Sequence, residues 1–361
     1  MEAEDPQTRA VRRRRAGILV ALVLLVAVPV IGLGFARSPL PVRTVAELRT
    51  ELVACSDGDM SEGRLIKEDV QNCYYRVMSS AVRAGQMMDV QTALAEQIEA
   101  TPGIYAACHS VGHRVGKEAF EKYRDIADLI RTNDTTTCQY AFGHGILDGF
   151  AFSDPSDEEF QAAASSCVAM RLLGPEGNKV YKLCSDGLGH AAWTSTDDIW
   201  AAVKRCRMLD DPLARATCGE GIMMQIYEPA GSEPARDINR AALEVPQFCL
   251  SWPDLGETRE GCYSGSGYVY TRAAWVLHYQ RNSSPGAVFT GEQRSRMQTL
   301  MQDAAALCGK HPDPKGVSVC LRSVAQQVPP SVYDDAALTE AVCGSLGEFA
   351  SWCREFRFEV S

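Results

Sequence analysis

The chain contains no Cys-x-x-Cys, although 14 of its 361 residues are cysteine. That absence excludes zinc ribbons, thioredoxin-like redox pairs and the attachment motif of c-type haem. There is also no HExxH, no GxSxG, no P-loop and no GxGxxG with a strand before it, so the enzymes those motifs define are excluded as well. The nearest approach to a phosphate loop, Ser264-Gly265-Ser266-Gly267, is too short and lacks the P-loop lysine. Alternating β-branched runs are few, and no Asn-Gly or Asp-Gly turn is flanked by them. Histidine is scarce too: there are six, and four of them fall inside one recurring phrase.

What the chain does have begins with a basic block, Arg12 to Arg15, followed by Ala16 to Ala36 without a charge. Such a run at 1.5 Å per residue is long enough to span a hydrocarbon core of roughly 30 Å. The expectation is a cytoplasmic tail (1–15), a transmembrane signal anchor (16–36), a Pro-bearing linker (37–44) and an extracytoplasmic domain (45–361), oriented by the arginines. A cleaved signal peptide is the rival, because Gly34-Phe35-Ala36 offers small residues, but the run exceeds the 7–15 residues of a signal h-region. In both cases the bulk of the protein is exported. Beyond residue 37 there are 30 basic and 43 acidic residues. That balance argues against nucleic acid and against broad binding to anionic headgroups, and suits cationic partners, metal ions included.

An exported chain with an even number of cysteines reads as a disulfide framework. Spacing makes adjacent pairs the simplest solution: Cys55 with Cys73, Cys167 with Cys184, Cys206 with Cys218, Cys249 with Cys262, Cys308 with Cys320, Cys343 with Cys353, leaving Cys108 with Cys138. Sequence alone does not prove the connectivity. Val45 to Val53, Leu65 to Val82 and Met88 to Ile98 show apolar residues at helical spacing. Pro102-Gly103, Asn133-Asp134, Asp154-Pro155, Gly174-Pro175 and Asp211-Pro212 punctuate the chain as helix boundaries. The expected fold is all-α: helical hairpins, each clamped at its turn by a disulfide with the second cysteine opening the next helix, stacked as an irregular α-solenoid. A compact α-bundle is the alternative. The histidine-bearing units occupy about residues 104–225 and plainer units about 240–361.

The recurring phrase is a cysteine followed a few residues later by Gly-His: Cys108-His109-Ser110-Val111-Gly112-His113, Cys138-Gln139-Tyr140-Ala141-Phe142-Gly143-His144 and Cys184-Ser185-Asp186-Gly187-Leu188-Gly189-His190. His109 and His113, His144 and Asp148, and Asp186 and His190 are each four apart and so share a helix face. Three neighbouring helices would present His/His, His/Asp and Asp/His pairs, the donor set of catalytic zinc and non-haem iron sites. The primary ligands are then His113, His144 and His190, with His109, Asp148 and Asp186 as secondary donors or a base. The glycines leave room for close helix approach or for a bulky ligand. Haem is the alternative group, with Tyr140, Phe142, Leu147, Phe150 and Trp193 to line an apolar slot.

The plainer account is packing: glycines that let helices touch, and imidazoles that cap neighbouring carbonyls. Arg114 and Lys117 beside His113 count against a cation unless they point outward. The position of His190 becomes Met224 after Cys218 and Tyr268 after Cys262. Met224 would serve as a soft ligand, although a core methionine is the commoner use. Glu220 stands to Cys218 as Asp186 stands to Cys184 and would close the acidic side of a pocket. His278 and His311 lie outside the frame and read as surface or core residues. A nucleophile built on Cys108 and His109 is disfavoured, since adjacent helical residues point about 100° apart.

The order Cys-His-x-x-x-His, Cys…His-Gly…acid and Cys…Gly-x-Gly-His, over residues 104–225, resembles an uncharacterised group of exported bacterial Cys/His-rich helical-repeat proteins. Those proteins often carry Glu where this chain has Asp148. The resemblance implies a Cys/His-framed helical domain and no activity. Two function classes therefore stand. One is a membrane-anchored extracytoplasmic protein binding a metal ion (zinc, iron or copper) or haem through its histidines, for redox or metal-assisted hydrolysis. The other is a non-catalytic stapled solenoid that binds a protein or cell-envelope component on its concave face.

Overall fold

The computed structural model describes residues 40–59, 67–100, 105–132, 137–172, 177–227, 244–253, 256–280 and 289–355. They belong to one compact unit, Leu40–Ser361. The basic tail, the apolar run and the first part of the linker lie outside the described residues. So do Pro102-Gly103, Asn133-Asp134 and Gly174-Pro175. Among the described residues no helix is long and apolar enough to cross a membrane.

The described chain is helical, with no strand among the described residues. In order come α1 (Val45–Ala54), α2 (Glu68–Ala84), α3 (Met87–Ala100), α4 (Tyr105–Tyr123), α5 (Ile126–Thr132), α6 (Thr137–Ala151), α7 (Asp157–Ala169), α8 (Gly177–Thr196), α9 (Ile199–Cys206) and α10 (Pro212–Tyr227). After a helical stretch at 244–250 follow α11 (Glu257–Gln280), α12 (Gly291–Cys308), α13 (Pro314–Gln326), α14 (Pro330–Tyr333), α15 (Ala336–Gly344) and α16 (Ala350–Glu355). The starts follow from local sequence. Thr44 with Glu47, Ser156 with Glu159 and Thr290 with Gln293 form reciprocal capping boxes at α1, α7 and α12. Asp313 caps α13 with Pro314 in its first turn, where the missing N–H costs nothing. Asp154-Pro155 and Asp211-Pro212 fall at the boundaries their sequence predicts.

One series of helices organises the unit: α2 packs on α4, α4 on α6, α6 on α8, α8 on α10, α10 on α11, and α11 on α13. The remaining helices attach to this series or to one another, α1 with α3, α5 with α7, α9 with α8, and α12 with α11, α13 and α15. The largest fully buried side chains include Tyr74, Tyr140, Tyr181, Tyr263 and Tyr270, all on helices of the series.

All 14 cysteines are paired, in the seven adjacent pairs that spacing predicts. Closing loops of 10 to 30 residues, each bridge restricts the unfolded chain by about 3 kcal/mol in the loop-entropy account. One detail differs from expectation. Cys184, Cys218, Cys262 and Cys320 do not open their helices but lie roughly one and a half to two turns inside α8, α10, α11 and α13. The reason is steric: the chain leaving Cys206 or Cys308 needs a loop and a capped first turn before the next helix. The bridge then joins the end of one helix to the flank of the next, with Cα atoms 5.5 to 5.6 Å apart. Cys108–Cys138 stands apart, because it links two members of the series, α4 and α6, directly.

Glycine governs several of the crossings. A methyl on Gly145 of α6 would collide with the His113 carbonyl of α4, and one on Gly221 of α10 would collide with the Asp186 carbonyl of α8. The helices there touch backbone to backbone. The room the glycines leave is taken by helix approach.

Candidate metal centre

The six residues singled out by spacing come together. His109 and His113 lie one turn apart on α4, His144 and Asp148 on α6, and Asp186 and His190 on α8. Ring centroids are 4.9 Å apart for His109 and His113, 5.5 Å for His113 and His144, 5.6 Å for His144 and His190, and 6.4 Å for His109 and His144. Two imidazoles sharing one ion through nitrogens at about 2.1 Å place their centroids roughly 5 Å apart. The spacing is therefore close to that of a shared ligand set. Among the described residues, however, no three His, Cys, Asp or Glu side chains are grouped so that they could hold a metal ion.

Each imidazole commits one nitrogen to the next helix of the series. His109 Nδ1 bonds the Cys138 carbonyl at 2.9 Å, and His113 Nδ1 bonds Asp148 Oδ2 at 2.7 Å, both on α6. His144 Nε2 bonds the Leu183 carbonyl of α8 at 2.9 Å, and His190 Nδ1 bonds Gln225 Oε1 of α10 at 2.8 Å. Asp186 sits between two rings, its Oδ2 3.6 Å from His144 Nε2 and 3.5 Å from His190 Nε2. Neither is a short ion pair. Asp186 Oδ1 and His190 Nε2 are buried and have no hydrogen bond. Exposures of 5% for His144 and 7% for Asp186 and His190 put these groups out of reach of bulk water.

Electrostatics follow from burial and neighbours. Burial, then the charge of His113, lowers His109 to about 3. Burial and then the other three imidazoles hold His144 well below the usual histidine range. His190 goes the other way. Burial would lower it, but its contact with Asp186 and the charges of Asp186 and Asp148 raise it to about 9. Burial pushes Asp148 up, and His113, through charge and hydrogen bond, more than reverses that, so the carboxylate stays ionised. Glu220 on α10 is raised to about 8 by burial and by the charge of Asp186. His109 and His144 are thus held neutral beside an ionised Asp148, while His190 keeps its proton at neutral pH.

The chain enters this region under strain. Cys138 and Tyr140, at the start of α6, have φ of 54° and 62°, a left-handed conformation that costs an L-residue roughly 1–2 kcal/mol. Cys138 supplies the carbonyl that holds His109, and the Tyr140 ring lies edge-on to His144 at 5.5 Å.

Other expectations sort as follows. Gln225 meets His190; Met224, which holds after Cys218 the position His190 holds after Cys184, is half-buried, and spacing from Cys218 does not point to Gln225. The signal is the crossing glycine: Asp148 and Gln225 each follow one, Gly145 and Gly221, by about one turn. Tyr140, Phe142, Leu147 and Phe150 are core residues, and Trp193 is partly buried against them. Ser264 to Gly267 are helical, within α11. His311 is buried against Ser266 and Tyr263, and His278 bonds Ser331. Arg114 turns away to stack on Tyr75 and bond Asn72, and Lys117 lies over Phe152. No family model, no curated protein and no solved structure matches the chain.

Proposed function

We propose that this chain is a membrane-anchored extracytoplasmic protein that binds a transition-metal ion in the imidazole and carboxylate cluster of α4, α6 and α8. The observation that carries the reading is the pair of buried ligand atoms without a hydrogen bond, Asp186 Oδ1 and His190 Nε2, one turn apart on α8. A buried polar atom left unpaired costs about 1–3 kcal/mol, and more when charged. A cation between His190 Nε2 and the Asp186 carboxylate, whose Oδ2 stands 3.5 Å away, would pair the ring nitrogen and neutralise the carboxylate.

The partners of the other nitrogens support this. Metal-bound imidazoles usually give their second nitrogen to a carboxylate or carbonyl, which fixes the ring. His113 with Asp148, His190 with Gln225, and His109 and His144 with carbonyls follow that pattern. His113, His144 and His190 are the primary ligands in this reading, with His109, Asp148 and Asp186 around them. With every cysteine in a disulfide, the donors are nitrogen and oxygen, which suits zinc or iron better than cuprous copper. An ion with an open position would activate water for hydrolysis, or carry redox chemistry if it is iron. Haem is less favoured, because the glycines that could have made room for a porphyrin bring helix backbones into contact instead.

The series α2 to α13 reads as an irregular α-solenoid that gathers the imidazoles on one side. A second reading rests on the bonds from His109 and His144 to backbone carbonyls: imidazoles that only tie repeats together in a scaffold for a protein or envelope partner. Metal analysis and an absorbance spectrum on the full chain, purified without a histidine tag, separate the two. The first reading expects bound metal that the His113→Ala/His144→Ala/His190→Ala variant loses while keeping its helical circular dichroism. A parent that stays metal-free after reconstitution with zinc, ferrous iron or copper leaves the scaffold.

A further inference from the structure

Two of the four clustered imidazoles take a backbone carbonyl, and each carbonyl belongs to the disulfide frame. His144 Nε2 meets that of Leu183, the residue before the bridged Cys184. His109 Nδ1 donates to that of Cys138 itself, and the residue before His109 is Cys108, whose sulfur is bonded to Cys138. The peptide link from Cys108 to His109, the disulfide and the hydrogen bond thus close one ring through the imidazole. The two arrangements differ in reach. Cys167–Cys184 joins α7 to α8 and leaves His144 on a third helix, α6. Cys108–Cys138 joins the histidine's own helix, α4, to the helix of its acceptor, with both cysteines buried. The acceptor also stands in a backbone that an L-residue holds only under constraint: φ is 54° at Cys138 and 62° at Tyr140, in the first turn of α6. Regular helical geometry there would send the Cys138 carbonyl along the axis to the fourth residue on, not across to α4. Strained residues of this kind persist where the surroundings over-determine them, and they gather at functional sites.

We propose that the Cys108–Cys138 bridge is a positioning element of the metal centre. It holds the first turn of α6 left-handed against α4, and so aims the His109 ring and sets Tyr140 edge-on to His144. With its Nδ1 proton committed to the carbonyl, His109 presents Nε2 as the nitrogen for an ion. The inference rests on the metal-binding reading of the histidine cluster and adds an order of events. The imidazoles are set once the bridge is closed, so the ion is taken up after disulfide formation, in the compartment where disulfides persist.

The experiment measures zinc affinity by chelator competition, and nitrogen-15 spectra of the metal-free imidazoles, on the full chain. The parent is set beside Cys108→Ala/Cys138→Ala and beside Cys308→Ala/Cys320→Ala, which removes the bridge between α12 and α13. The parent is expected to hold the His109 proton on Nδ1. The first variant should lose that fixed tautomer and bind zinc about 10–100-fold more weakly, the range for losing a group that orients a ligand. The second should keep both. Glycine adopts positive φ freely, so Cys108→Ala/Cys138→Gly should recover part of each loss, and it carries the test if the alanine variant loses its helical circular dichroism. The parent spectrum is read on the unaltered chain, and a His109 proton on Nε2 there overturns the proposal without any variant. So do unchanged tautomer and affinity in a folded Cys108→Ala/Cys138→Ala chain, or equal losses in both alanine variants. A parent that binds no zinc overturns the metal reading itself and with it the order of uptake.

Discussion

The helices that carry histidine, α4, α6 and α8, and those that follow, α10, α11 and α13, share one frame and differ in what fills it. In both regions a disulfide joins neighbouring helices, and glycine brings backbones into contact: Gly145 against the His113 carbonyl in the first, Gly261 against the Ala216 carbonyl in the second. In the second region the crossings are filled by thioether and hydroxyl groups and one carboxylate, Glu220, which accepts from Ser264. Met223 lies against Gly265, and Ser323 donates to the Ser264 carbonyl. In the first they are filled by four imidazoles and two carboxylates. The series therefore holds together without Gly-His, and the histidines are an addition to the frame. That comparison counts against the purely structural account of them.

Overfilling a crossing is the most direct way to test whether the frame is shared. Gly145→Val and Gly261→Val each place a branched side chain where a carbonyl already stands. Each is expected to cost more than about 3 kcal/mol or to abolish folding, read as loss of the guanidinium unfolding transition. Gly344→Ala meets nothing within 4 Å and should unfold as the parent does or slightly later. If Gly261→Val were tolerated while Gly145→Val was not, the two regions would not be built alike.

A second, smaller effect separates the buried histidine of the plain region from those of the cluster. His311 is 4% exposed, its Nε2 meets Ser266, its ring packs on Tyr263, and its Nδ1 is buried without a partner. Burial lowers it to about 4, against a raising influence from Asp313. An unfolded histidine titrates near 6.5. Between these values the unfolded chain binds the extra proton, so this histidine's contribution is complete above about pH 6.5 and lost as pH falls to about 4. The loss is on the order of 3 kcal/mol. Urea unfolding of the parent minus that of His311→Gln should show this slope, with metal binding unchanged in the variant. A flat difference curve would remove His311 as a source of acid sensitivity.

Much of this architecture was legible in the sequence because it is written in short-range spacing. Bridges between consecutive cysteines and histidine or acid pairs four residues apart are local patterns, and helical geometry converts them into contacts. The grouping of His109, His113, His144, Asp148, Asp186 and His190 needed only the assumption that consecutive units lie side by side. What the pattern could not give is the phase of one helix against the next. Counting from Cys218 points to Met224 as the counterpart of His190. That count does not say which residue of α10 faces the His190 ring; the close crossing at Gly189 and Gly221 brings Gln225 there. The glycines were ambiguous for a related reason: a missing side chain leaves space, and only the packed structure says that a neighbouring backbone takes it. The carbonyl partners of His109 and His144 are invisible to any reading of side chains.

Gln225 offers the finest comparison, because it does for His190 what Asp148 does for His113 with an amide in place of a carboxylate. Its oxygen, 2.8 Å from Nδ1, accepts that N–H, so Nε2 is the nitrogen a metal ion would take by displacing its proton. Losing such a partner typically weakens metal affinity 10–100-fold. Gln225→Leu is expected to fall in that range for zinc by calorimetry, and Gln225→Glu, which restores a carboxylate like that of Asp148, to match or exceed the parent. Nitrogen-15 spectra of the imidazoles supply the check that packing loss alone would not move. The His190 ring of the zinc-loaded parent should hold its proton on Nδ1, and Gln225→Leu should lose that fixed tautomer. Equal zinc affinity in all three proteins would mean that Gln225 only joins α8 to α10, and that the two ends of the cluster are not equivalent.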